Sequence, residues 1–362
     1  MTRVPFFAGA RTWAEHGARH LELIGAALAD GRALQAPAVA AFETALADAC
    51  GREHAVAVGS GTDALAFALL AAGVGPGAEV LVPAVSFVAS ASCVLRVGAV
   101  PVFVDVDGHG LLDLDDAARA LSPRTRALVA VDLYGQPVDG DAFEVFAAAH
   151  DLVLVEDVAQ ALGAHWRDRP AGSIGAVACC SFDPTKNVSA PGSGGAALCD
   201  DPELAARLRR LRWHGRDADG LHAELGYNSQ LSTACAVVLH DKLALTAGWT
   251  ERRRAIAAAY DDALADTDAR PLGVAPGRSH VFHKYVLRSP DRDGLRARLD
   301  DAGIDTLVHY ARPLTRQPLF AAGPGVRPCP AAERLCSAAL SLPIHAYLDD
   351  DEVARVCAAL AA

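Results

Sequence analysis

His54-Ala55-Val56-Ala57-Val58-Gly59-Ser60-Gly61-Thr62-Asp63-Ala64-Leu65 joins an apolar, partly β-branched run to a turn of small residues and then to an alanine-rich segment. That is a strand passing through a tight turn into a helix, the repeating step of a sheet of parallel strands. The step recurs as far as residue 199. Strands are expected at His54–Val58, Glu79–Val82, Pro101–Val104, Ala127–Val131, Leu152–Glu156, Ala176–Phe182 and Gly195–Cys199. Helices are expected between them at Thr62–Ala72, Val88–Val97, Asp113–Ala120 and Ala142–His150, with Gly75-Pro76-Gly77 and Gly135-Gln136-Pro137 punctuating the joints. The pattern predicts an α/β fold, with a mostly parallel sheet flanked by helices.

Further along, Pro202 to about Ala265 reads as helical with a break at Gly215–Asn228. The texture then changes to a strand at Val281–Arg288, a helix at Asp291–Ala302, a short strand at Thr306–His309 and a terminal helix at Asp349–Ala361. Three aspartates at 349–351 suit that helix's positive N-terminal end. Residues 268–280 and 311–330 read as loops. The expected division is a large domain over residues 1–245 and a smaller C-terminal α+β domain over 246–362.

Composition narrows the class of function. With 362 residues, 52% hydrophobic and 21% charged, the chain can bury a sizeable core and lacks the signature of disorder. A net charge of −11 argues against general attraction to nucleic acid or an anionic membrane. The arginine clusters at 207–212 and 252–254 read as solvated helix faces. Nine cysteines show no C-x-x-C pair and no metal-ligand spacing, so no metal site is expected. No apolar stretch reaches about 18 residues, and Met1–Phe7 has no secretory pattern, so a cytoplasmic protein is expected.

Three places carry chemistry. The Gly59–Thr62 turn could hold a phosphate on backbone N–H groups at a helix N-terminus, although such a turn taken alone is more often a plain helix cap. Asp157, in Glu156-Asp157-Val158-Ala159-Gln160, ends an apolar strand where an open parallel sheet borders its ligand crevice; a helix-capping role is the alternative. Lys186 lies in Cys179-Cys180-Ser181-Phe182-Asp183-Pro184-Thr185-Lys186-Asn187, ahead of the glycine-rich run Pro191-Gly192-Ser193-Gly194-Gly195. It is one of three lysines, with Lys242 and Lys284, against thirty arginines. Where arginine meets the general need for positive charge, a retained lysine points to its amine, a nucleophile towards carbonyls once deprotonated. An amine, a carboxylate for a pyridinium nitrogen and a phosphate cradle are the parts that pyridoxal phosphate needs; Phe87, just past another strand end, could stack on its ring.

Taken together, these motifs resemble the DegT/DnrJ/EryC1/StrS family of sugar aminotransferases, which are pyridoxal-phosphate enzymes of fold type I. The resemblance extends to Phe42–Gly51, Gly226-Tyr227-Asn228, His309-Tyr310 and Leu340-Ser341-Leu342-Pro343-Ile344-His345. It implies that Lys186 holds the cofactor as a Schiff base and that Asp157 pairs with the pyridine nitrogen. Gln160 would meet the side of the phenolic oxygen, Phe87 would stack, and Gly61, Thr62 and Ser181 would hold the phosphate. Asn228 would be given by a partner subunit, which implies a homodimer with shared sites. Gln230 stands where many members carry an arginine.

The implied reaction moves an amino group from glutamate or glutamine to a keto sugar, most simply a nucleotide-linked keto-deoxyhexose of antibiotic or polysaccharide biosynthesis. A ketocyclitol acceptor and a non-catalytic regulator binding the cofactor or a sugar nucleotide are the alternatives. The family's dehydratase relatives replace the lysine by histidine, and Lys186 argues against that chemistry. His309 and Tyr310 are candidate substrate contacts, as are His165 and Trp166.

Overall fold

The expected strand positions reappear almost residue for residue in a computed structural model that describes residues 3–362. The chain opens with helices α1 (Gly9–Leu28) and α2 (Pro37–Ala49), which the sequence reading left unassigned. Then come β1 (His54–Val58), α3 (Gly61–Ala71), β2 (Glu79–Pro83), α4 (Ala89–Arg96), β3 (Val100–Val104), α5 (Leu114–Ala120), β4 (Thr125–Val131), α6 (Gly140–Ala149) and β5 (Val153–Asp157). A short hairpin of β6 (His165–Trp166) and β7 (Arg169–Pro170) precedes β8 (Val177–Ser181) and β9 (Gly195–Cys199). Helices α7 (Pro202–Leu211), α8 (Thr233–Leu243) and α9 (Thr246–Leu264) follow.

The seven-stranded sheet has the order β1-β9-β8-β5-β4-β2-β3. Alternation along its strands divides the core. Val56, Val58, Val80, Val82, Val129 and Val155 pack on one face against α3 and α4. Ala55, Ala57 and Cys180 face α2 and α8, while Leu81, Leu128 and Leu154 face α5 and α6. Side chains of period two between two helical layers are what a doubly covered sheet requires.

One strand departs from the parallel expectation: β9 runs antiparallel to both β1 and β8. A parallel return needs a crossover, usually a helix. The 182–194 connection contains no helix, so the chain turns straight back, and that irregular connection is what presents Lys186.

A second, three-stranded sheet of β10 (Arg270–Pro271), β11 (Tyr285–Arg288) and β12 (Ala339–Leu342) is covered by α9, α10 (Arg292–Asp301) and α12 (Asp350–Ala361), with α11 (Pro330–Ala338) leading into β12. Val4 packs into this core with Tyr260, Leu299, Leu340 and Val356. The helix α12 starts with a capping box between Asp349 and Glu352.

Three local expectations fail here. Thr306–His309 forms no strand, only a single bridge from Leu307 to Ser341. The Val281–Arg288 strand is shorter than expected because its first half leaves the small sheet: Val281 N–H donates to the Gly135 carbonyl (2.9 Å) and Lys284 N–H to that of Tyr134 (3.1 Å). The arginine clusters are not uniformly solvated either. Arg212 pairs with Glu43, and Arg253 donates to the carbonyls of Phe282 (2.9 Å) and Ile344 (2.6 Å).

Candidate active site

Because β9 reverses, β1 runs parallel to β8, and the C-terminal ends of β1, β2, β5 and β8 lie along one edge of the sheet. There they border a cavity of about 440 Å³ lined by Gly61, Thr62, Phe87, Asp157, Gln160, Ser181, Lys186, His309 and Tyr310. Nine of the twelve site residues named from sequence therefore converge on one hollow. Asn228 is exposed on its own chain and does not line it. His165 is exposed and Trp166 is buried between Arg167 and Arg278; neither lines the cavity of its own chain.

Asp157 closes β5 and is 5% exposed. Its Oδ2 accepts from the Ser90 hydroxyl (2.9 Å) and its Oδ1 from the Ala159 N–H (3.1 Å). Burial raises its pKa, against the lowering pull of Lys186 and those two donors. Lys186 sits in a turn whose N–H donates to the Asp183 carbonyl (2.9 Å). Burial lowers the pKa of its amine, opposed by Asp157 and Asp183. An amine nearer neutrality is a better nucleophile and proton carrier.

The small-residue turn is shaped for close approach. Ser60 caps α3 by accepting from the Asp63 N–H (3.1 Å). A Cβ on Gly61 would lie 2.6 Å from the Ser181 Cβ, and one on Gly195 would lie 2.3 Å from the Ser60 carbonyl carbon, so both positions need glycine. Ser229 fixes the turn from behind, its carbonyl accepting from Gly59 N–H (3.1 Å) while its hydroxyl donates to Asp63 (2.7 Å). On the other side Gln160 Oε1 accepts from the Tyr134 N–H (2.8 Å), and its amide donates to the Tyr310 hydroxyl (3.4 Å). The Tyr134 hydroxyl donates to the His309 carbonyl (2.6 Å).

His283 and Lys284 were not singled out as site residues, yet both line this cavity. The signal for Lys284 was present in the scarcity of lysine; that for His283 was hidden in a segment read as ordinary strand. Burial holds His283 neutral, and burial with the charges of Arg253 and Lys186 brings Lys284 down to about 7.

Comparison with known proteins agrees with this geometry. The model of the DegT/DnrJ/EryC1/StrS aminotransferase family matches residues 15–361. The chain belongs to that family. It is 42% identical over 357 residues, 98% of its own length and 94% of the relative's, to a dTDP-3-amino-3,4,6-trideoxy-alpha-D-glucose transaminase of Streptomyces venezuelae. Its fold matches the crystal structure of S. venezuelae DesV in complex with a ketimine intermediate at a TM-score of 0.97 and 41% identity, covering 100% of this chain and 98% of that one. NtdA of Bacillus subtilis, solved with bound cofactor PMP, matches at a TM-score of 0.90 and 26% identity, covering 99% and 85%.

As a member of the DegT/DnrJ/EryC1/StrS family the chain is an aminotransferase, and pyridoxal phosphate is the cofactor its site must suit. The residues fit. Asp157 is a buried carboxylate with only neutral donors, suited to a cationic ring nitrogen. The capped start of α3 beside Ser181 leaves room for a phosphate only because Gly61 has no side chain. Lys186 faces the space between them.

Proposed function

We propose that the chain is a pyridoxal-phosphate enzyme that transfers an amino group from glutamate or glutamine to a nucleotide-linked keto-deoxyhexose. The observation that carries the reading is the convergence of Lys186, Asp157 and the Ser60–Thr62 and Ser181 cradle on one 440 Å³ cavity at the carboxyl edge of the sheet. The name of the Streptomyces relative supports the sugar class. The cofactor supplies an electron sink for the carbon that gives or takes the amino group.

In this reading Lys186 holds the cofactor through its amine and afterwards carries the proton to and from the reacting carbon. Asp157 keeps the ring nitrogen protonated, and Ser90 keeps Asp157 turned towards it. Gln160 is held by the Tyr134 N–H on the side expected for the phenolic oxygen, Phe87 covers a ring face, and Gly61, Thr62 and Ser181 take the phosphate. His309 and Tyr310 meet the sugar. Asn228, exposed and outside the lining of its own cavity, serves the phosphate of a second copy, so the working unit is a homodimer. The exposed side chains of Leu221 and Leu225 near Asn228 support such a contact. The chain divides functionally near residue 245 into cofactor-binding and smaller C-terminal parts. Its free cysteines suit the reducing cytoplasm. Lys186→Ala is the test: turnover of a keto-sugar nucleotide should vanish while circular dichroism stays unchanged, and substantial retained transamination would sink the assignment.

A further inference from the structure

Beside the cofactor cavity lies a second chamber of about 400 Å³, and the two share Phe7, Lys186, His283 and Lys284 on their walls. The second chamber has one sign of charge. Lys186, Lys242, Arg253 and Lys284 line it, and no Asp or Glu does. Among the described residues Lys242 is answered only by the neutral carbonyl (2.6 Å) and hydroxyl (3.1 Å) of Ser189. Arg253 meets two backbone carbonyls and leaves its Nε without a partner, and His345, 2% exposed on the same wall, leaves Nδ1 without one.

Lys284 is the extreme case. It is 7% exposed, and among the described residues its ammonium has no hydrogen-bond or ion-pair partner; it lies 5.1 and 5.0 Å from the ring centres of Phe6 and Phe7. A buried cation without a counter-charge is costly unless a ligand brings one. Aromatic faces beside the ammonium suit an anion at the end of a short methylene chain, which can lay its carbons on the rings while its oxygens meet the nitrogen. Lys186 on the same wall marks where the ligand's amino end belongs.

We propose that Lys284 receives the side-chain carboxylate of a dicarboxylic amino donor, with Arg253 and Lys242 supplying the surrounding positive field, so that the site takes glutamate in preference to its amide. This rests on the aminotransferase reading above and decides between the two donors which that reading leaves open. Glutamine fills the same space, and its amide oxygen can accept from the ammonium, but it brings no counter-charge.

The test follows the half-reaction of the purified holoenzyme through its cofactor absorbance, with glutamate and glutamine titrated separately. In the native chain glutamate should bind about 30-fold more tightly than glutamine, the scale of one charged hydrogen bond. Lys284→Met should reduce that ratio to about threefold or less, and Lys284→Arg should keep most of it. If Lys284→Met cannot hold cofactor, Lys284→Gln is read in the same way. An unchanged ratio in the uncharged variant overturns the proposal, as does equal weakening of both donors. Thymidine diphosphate is the second probe: if Lys284→Met relieves its competition with the donor while the donor ratio stands, the chamber serves a diphosphate instead and the proposal fails. Native enzyme converted equally well by both donors refutes this inference alone; native enzyme converted by no donor refutes the aminotransferase reading.

Discussion

Replacing Lys284 by methionine should make the apoprotein more stable, by an amount that depends on pH in a calculable way. The amine is pushed from 10.5 to about 7, chiefly by burial and then by the charges of Arg253 and Lys186, against a weaker opposing pull from Asp183. A depressed amine binds its proton more weakly in the folded chain than in the unfolded one. Its penalty is therefore absent well above pH 10.5, grows as pH falls, and is nearly complete at pH 7. At about 1.4 kcal/mol per pKa unit, the cost is about 4 kcal/mol at pH 7 and about 2 kcal/mol at pH 9. Methionine has similar length, no charge, and a thioether that packs well against Phe6 and Phe7. Urea unfolding of native and Lys284→Met apoprotein, at one fixed protein concentration, should show the variant ahead at pH 7 and the gap about halved at pH 9. A variant less stable than the native chain, or a gap that does not narrow with rising pH, would refute the reasoning. Such a cost, retained beside the reacting lysine, is what a recognition site for an anion would impose.

Two further outcomes follow from buried groups around the site. Asp132 and Glu156 are both buried, and burial raises both; the charge of Glu156 raises Asp132 further, so the shared proton resides on Asp132, while Glu156 accepts from the N–H groups of Gly172 (3.0 Å) and Ile174 (2.9 Å). Stability should fall as pH rises from the unfolded carboxyl range towards the raised folded value, at up to about 1.4 kcal/mol per pH unit, and Asp132→Asn should flatten that slope in urea melts; an unaltered slope would exclude the shared proton. Gly61→Ala places a methyl 2.6 Å from Ser181 Cβ, so it should weaken pyridoxal-phosphate binding at least about tenfold in equilibrium dialysis, and native-like affinity would show that the cradle lies elsewhere.

Most of the central sheet was legible because most of its strands are short apolar runs rich in valine, closed by small or polar residues. The direction of Gly195–Cys199 was not, since a strand buried on both faces reads the same either way; only the missing helix between 182 and 194 bears on it. The cofactor-side residues could be read from local motifs at strand ends. Lys284 and His283 could not, because by sequence they read as part of a strand of the small sheet, and the segment reaches the site through backbone bonds from Val281 and Lys284 to Gly135 and Tyr134, in the turn that follows β4 of the large sheet. Trp166 follows Asp157 closely in sequence, yet it lies in a short hairpin and packs with Leu128 and Leu154 rather than lining the cavity.

The most direct measurement is the absorbance of the purified protein supplied with pyridoxal phosphate, recorded before and after adding glutamate. The proposed chemistry requires a band near about 415 nm that gives way to one near about 330 nm as the amino group is taken up. A protein that forms no such band, or whose band is indifferent to every amino donor, would contradict the assignment of Lys186 and the function built on it.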